Sequence, residues 1–113
     1  MPDGLEIREF SGRGFKRVHV FNAWSLAFLT QDDEYTHNTY IERHMETDEV
    51  FVLLKGKATL YIGEDREPVA MEINKLYNVT AGTWHNIVCD EDASVLVIEN
   101  SDTDKTNTEY IDL

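Results

Sequence analysis

The chain is poor in the features that carry several common chemistries. It has one cysteine, Cys89, so it forms no intramolecular disulfide, no CxxC redox pair and no cysteine-rich zinc site. Its longest apolar stretches, such as VFVLL at 50–54, are far too short to span a bilayer. The opening segment MPDGLEIREF lacks the basic and apolar regions of a secretory signal, so a cytoplasmic location is expected. There is no glycine-rich phosphate loop, no GxSxG and no HExxH. Basic residues are also scarce. Lys and Arg number 10 against 22 Asp and Glu, a formal net charge of −12. That charge repels a phosphate backbone and an anionic membrane surface alike, so neither nucleic acid nor membrane is expected as a partner.

What is present suits a folded domain. The 113 residues are 42% hydrophobic and 28% charged, enough for one core (1–113) and too apolar for a disordered acidic chain. The acid is unevenly spread. Residues 51–89 are balanced, whereas the excess collects in 31–50 and 90–113.

Along the chain, short runs rich in β-branched and aromatic residues alternate with turn residues. VHVFNAWSLAFL (18–29) stops at the acidic QDDE of 31–34. TYIERH (39–44) leads through METD to EVFVLL (49–54), and Lys55-Gly56-Lys57 reads as a turn before ATLYIG (58–63). After a turn ending at Pro68 come VAMEI (69–73), LYNV (76–79), WHNIVC (84–89) and SVLVIEN (94–100). Six or seven strands and no long amphipathic helix predict an all-β sandwich or barrel. EVFVLL and ATLYI are apolar on both faces, which predicts strands lying between layers. Residues 101–113 read as a polar C-terminal tail, flexible over SDTDKTNTE, with a final YIDL that either docks or frays.

Four polar residues stand out within these runs. Side chains alternate along a strand, so Glu42 and His44 share a face. Glu49 opens the next strand after a four-residue bend that can return its carboxylate to that face, and His85 follows the turn glycine Gly82. Two imidazoles and two carboxylates suit a divalent Mn, Fe, Co, Ni or Zn ion.

This spacing resembles the cupin superfamily, whose RmlC-like members fold as a small double-stranded β-helix or jelly-roll barrel. The first cupin motif ends in His, four residues, Glu, six residues and Gly, matched by His44, Glu49 and Gly56. The glycine and histidine of the second motif fall on Gly82 and His85. The resemblance covers roughly 39–100 and departs from the pattern at three positions. Glu42 stands where the first histidine of a His-x-His pair is usual, Thr80 where a proline is, and Cys89 where an asparagine is. It implies a divalent metal held by His44, Glu49, His85 and Glu42. It also implies oxygenase, isomerase or decarboxylase chemistry on a small organic acid or sugar. The missing histidine motivates an alternative, a metal-free barrel that binds a small ligand or a partner without catalysis.

Each residue also has a plainer reading. Glu42 can pair with Arg43 at the surface, His44 and Glu49 can form a structural hydrogen bond, and His85 can be a satisfied core histidine. Tyr40, Phe51 and Ile87 are expected to line the cavity; Cys89 shares a strand face with His85 and Ile87 and is a further candidate for the wall, with a buried inert thiol as its plainer reading. Trp84 should point the opposite way from His85, and His19 and His37 should face solvent. Asp32-Asp33-Glu34 and Asp90-Glu91-Asp92 read as solvated loops. A barrel this small gains from covering its edges, so a homodimer is expected, with the aromatic segment 17–29 as the contact.

Overall fold

A computed structural model describes residues 2–37 and 39–113, which form ten strands and no helix. In chain order these are β1 (Gly14–Phe21), β2 (Trp24–Thr30), β3 (Tyr40–His44), β4 (Glu49–Lys55), β5 (Ala58–Ile62), β6 (Glu67–Ala70), β7 (Leu76–Val79), β8 (His85–Cys89), β9 (Ser94–Asn100) and β10 (Thr108–Asp112). They pair antiparallel in two five-stranded sheets, ordered β1-β2-β9-β4-β7 and β10-β3-β8-β5-β6.

The inner faces follow from the period-2 alternation of strand side chains. On β2, Ala27 and Leu29 point inward; on β4, Phe51 and Leu53; on β8, Ile87 and Cys89; on β9, Val95 and Val97. Each large apolar side chain buried there contributes about 1.5–3 kcal/mol. The same alternation continues into polar residues at one end of the sandwich. Glu49 begins β4, His85 begins β8, His44 ends β3 and Glu99 nearly ends β9, and all four are buried. Because neighbouring strands run antiparallel, these strand starts and strand ends meet at one end of the core.

Several sequence expectations need correction. The run 18–29 is a hairpin of two strands beginning earlier, at Gly14. Its turn lies at Asn22-Ala23, with Asn22 in the left-handed conformation at φ 50°. Asparagine tolerates that conformation, so a tight turn fits inside an otherwise apolar run. The strand expected over 69–73 is β6 at Glu67–Ala70. Pro68 is accommodated there because β6 is the sheet edge. On β4 only one face is buried; Val50 and Val52 are half-buried and Leu54 exposed. The C-terminal tail is the largest departure. Thr108–Asp112 is a strand in register with β3, Thr108 opposite His44 and Asp112 opposite Tyr40. The preceding loop is organised by Asp104, whose side chain accepts from the Thr106 backbone at 2.8 Å.

Candidate metal centre and cavity

The site is assembled at a weak point of the second sheet. β3 and β8 are in register through one pair, Glu42 opposite His85. Beyond it, the Asn86 side-chain amide donates to the Tyr40 carbonyl at 2.8 Å, a side-chain bond where a backbone ladder would otherwise run. The chain between β3 and β4 bends at Met45–Asp48. Asp48 ties that bend to the loop before β8, accepting from Asn78 Nδ2 at 3.0 Å and from the Ala81 N–H at 2.9 Å. Gly82, at φ +80°, donates its N–H to the His44 carbonyl at 2.8 Å. The turn that delivers His85 is thereby fastened to the strand end that carries His44.

The sequence-nominated quartet comes together here. One donor atom from each of Glu42, His44, Glu49 and His85 can be chosen so that all four lie within 4.8 Å of one another. Glu49 Oε1 sits 3.1 Å from His44 Nε2 and 2.8 Å from His85 Nε2, and Glu42 Oε1 lies 3.6 Å from His44 Nε2. The far nitrogens of both rings are engaged: His85 Nδ1 donates to the Thr83 carbonyl at 2.9 Å, and His44 Nδ1 meets Thr108 Oγ1 at 2.9 Å. A carbonyl only accepts, so the His85 proton is fixed on Nδ1 and its Nε2 faces the cluster. Partners of this kind orient metal-binding imidazoles. Glu42 does not pair with Arg43, whose Nε instead donates to Glu109 at 2.8 Å and whose guanidinium lies 4.5 Å from the Trp84 ring centre.

Charge and burial pull these groups in opposite directions. Burial alone would raise the Glu49 carboxyl, but the hydrogen bonds from His44 and His85 and their charge hold it at about 2. Burial disfavours the charged form of both imidazoles, yet the hydrogen bond and charge of Glu49 outweigh it and lift His44 to about 8. His85 moves upward for the same reason. Glu42 is pushed above the ordinary carboxylate range by burial and by the Glu49 charge.

A cavity of about 340 Å³ lies over the quartet. Tyr40, Phe51 and Ile87 are on its wall. Cys89 is not; it lies in the core, 1% exposed. It does share the inward face of β8, but four residues of extended strand place it ~13 Å beyond His85. Burial, followed by the charges of Asp32 and Asp90, pushes its thiol up to about 12. His37 is exposed at the cavity, whereas His19, expected to face solvent, is half-buried against Trp24 with ring centres 5.5 Å apart. The first acidic loop is more than solvated surface: Glu34 lines the cavity and accepts from the Tyr40 hydroxyl, and Asp32 caps the Tyr35 N–H at 3.1 Å.

Sequence reasoning missed Glu99, which is 8% exposed. Its Oε2 lies 3.9 Å from His44 Nε2 and its Oε1 3.3 Å from Arg17 Nη2. The signal was the alternation of SVLVIEN, in which Val95, Val97 and Glu99 share one face. Burial, the adjacent Glu49 charge and the hydrogen bond to Glu49 push the Glu99 carboxyl up to about 8. The charges of His44 and, less strongly, Arg17 oppose this; the Arg17 guanidinium also donates to the carbonyls of Ser101 and Thr103.

By sequence, the chain matches no family model and no curated protein. By structure, it superposes on an RmlC-like cupin family protein from Methanocaldococcus jannaschii with a double-stranded β-helix fold. The TM-score is 0.67 at 13% identity, over 88% of this chain and 93% of that one. The fold is that of the cupins. KdgF from a Halomonas species is also similar, with TM-score 0.65, 12% identity and coverage of 89% and 91% of the two chains. So is Pac13 from Streptomyces, described as a nucleoside dehydratase, at TM-score 0.70, 10% identity and coverage of 95% and 85%. Variants of Pac13 were solved with uridine. Within this cupin-like fold, His44, Glu49, His85 and Glu42 converge at one end of the barrel.

Proposed function

We propose that this cupin-fold protein binds one divalent transition ion (Mn, Fe, Co, Ni or Zn) through Glu42, His44, Glu49 and His85. We further propose that it acts on a small, uncharged, hydroxyl-bearing ring compound such as a sugar or nucleoside. The observation that carries the metal reading is the quartet itself: two Nε2 atoms whose rings are oriented from behind, and two carboxylates, converging within 4.8 Å. That donor set fits a borderline divalent ion, and its two negative charges match a 2+ charge. When bound, such an ion supplies Lewis-acid or redox chemistry.

The cavity wall supports the ligand class. It carries Glu34, Glu42, Glu49, Glu99 and Asp104 against Arg17, Lys105 and the histidines, of which His44 and His85 are taken up by Glu49. Arg17 is already committed to Glu99 and two carbonyls. An organic acid would meet acid on most sides, whereas hydroxyl groups can donate to these carboxylates. Tyr40 and Tyr110, with ring centres 5.6 Å apart, and Phe51 offer apolar faces to a ring. Uridine in Pac13 is a ligand of this kind held in the same fold.

The test is metal analysis followed by calorimetry of the loaded protein with neutral sugars and nucleosides against carboxylic acids. Occupancy near one equivalent and heat only with neutral compounds would support the reading; an empty site would defeat it. A second reading, a metal-free binding barrel, is favoured by the direct 2.8 and 3.1 Å contacts between Glu49 and the two imidazoles, which satisfy the cluster with protons alone. It requires ligand binding to survive alanine at both His44 and His85. We also propose a homodimer through 17–29, where Val20, Phe21 and Trp24 are exposed.

A further inference from the structure

Glu99 asks for an explanation that the quartet does not supply. Its Oε2 is buried and no N–H or O–H donor of the protein reaches it, so only a proton shared with Glu49 or a cation can satisfy it. It faces His44 Nε2 at 3.9 Å, on a ring whose other acidic neighbours are Glu49 at 3.1 Å and Glu42 at 3.6 Å. The register of β4 with β9 makes this placement systematic. Val50 stands opposite Ile98, so one step further Glu49 stands opposite Glu99 on the same inward face. Ionised carboxylates directly across a strand pair destabilise a sheet unless a proton or a cation is shared between them. The backbone is held firmly there: Ser25, opposite Glu99 on β2, donates its hydroxyl to the Glu99 carbonyl at 3.2 Å.

We propose that Glu99 is a third carboxylate ligand of the metal centre and shifts its selectivity towards oxygen-seeking ions, raising manganese affinity relative to zinc, with Arg17 as the counter-charge. This rests on the metal reading above and specifies which ion that site selects. Ligands about 2.1 Å from an ion stand about 3.0 Å apart when adjacent and about 4.2 Å apart when opposed. Glu99 is not among the four residues whose donor atoms converge within 4.8 Å, but its Oε2 lies 3.9 Å from His44 Nε2, inside the span of adjacent to opposed ligands for that pair. Three carboxylates balance a 2+ ion and one guanidinium, and Arg17 Nη2 holds the other Glu99 oxygen at 3.3 Å, leaving Oε2 free to turn to the ion. Two imidazoles with three carboxylates exceed the four ligands zinc prefers, while harder ions accept the additional oxygen.

The test compares equilibrium binding of manganese chloride and zinc chloride to the wild type, Glu99→Gln and Glu99→Asp. The aspartate keeps the negative charge but withdraws the carboxylate by one methylene, and it keeps the comparison informative should the glutamine variant fail to fold. Expected is a loss of about tenfold or more in manganese affinity in each folded variant, with zinc changing by about threefold or less. Equal losses for both metals, no loss, or a wild-type ratio in Glu99→Asp would overturn the proposal. Failure is separable from failure of the metal reading, since in that case the wild type binds neither ion and the quartet, not Glu99, is refuted.

Discussion

Glu49 is the residue on which the centre turns, because it alone touches both imidazoles, at 2.8 and 3.1 Å. Glu49→Gln should therefore lower metal affinity by more than about a hundredfold, measured by competition with a chelating dye; a change under about threefold would show that the ion sits elsewhere. The same contacts set the pH dependence of the metal-free protein. His44 has its folded value raised to about 8 from an ordinary 6.5, so the stability it contributes is fully present below 6.5 and is lost as the pH rises through 8. Glu49 has its value lowered to about 2 from 4.5, so its contribution is present above 4.5 and lost as the pH falls toward 2. Urea midpoints in chelator should accordingly fall between pH 6.5 and 8, and added metal, which displaces the imidazole protons, should bind more tightly across the same interval. A midpoint that rises through that window in chelator would contradict the pairing. Of the residues in the site, His44, Glu49 and His85 were legible in the sequence because their spacing follows a motif. Glu42 was legible through alternation with His44. Glu99 was not singled out, because its importance depends on the register of β4 against β9, a long-range pairing that local pattern does not contain.

At the scale of elements, the turn that carries the chain from β4 in one sheet to β5 in the other shows how a turn glycine is dictated. Gly56 has φ +75°, and a Cβ there would meet backbone atoms of Ala93 at 2.7 and 2.8 Å and the Asp92 carbonyl at 2.8 Å. Since the obstacles are backbone, they cannot rotate aside. Gly56→Ala should cost about 2–3 kcal/mol in urea unfolding, and a loss below about 0.5 kcal/mol would mean that the two turns are not packed together. β10 carries the other element-scale prediction. Thr108, its first residue, holds His44 Nδ1 at 2.9 Å. Thr108→Val, nearly isosteric, should reduce metal affinity about 10–100-fold while costing only about 1 kcal/mol of stability. Unchanged affinity would show that the strand merely covers an edge. The β4–β5 turn was readable because Lys55-Gly56-Lys57 divides two apolar runs. β10 was not, because only Thr108 among its residues is buried and its pattern offers no alternation of apolar side chains.

For the whole molecule, the all-β class and the jelly-roll arrangement follow from strand after strand with one apolar face, and the sequence carries that information redundantly. How the acid is distributed depends on tertiary structure. Of the acids behind the net charge of −12, five line one cavity, drawn from both acidic blocks. Such a concentration of acid is the basis of the proposed preference for a metal ion and for uncharged ligands. The exposed Phe21 and Trp24 at the β1–β2 turn belong to the same scale. Sedimentation at micromolar concentration is expected to show a dimer that Trp24→Lys converts to monomer, whereas a monomeric wild type would remove the proposed contact.

The most direct test of the centre is elemental analysis of the untagged protein grown with transition metals, joined to an anomalous-scattering map of its crystals. The expected result is about one ion per chain, with its peak among Glu42, His44, Glu49 and His85. Metal content well under one equivalent for every transition element, or a peak away from those four residues, would contradict it.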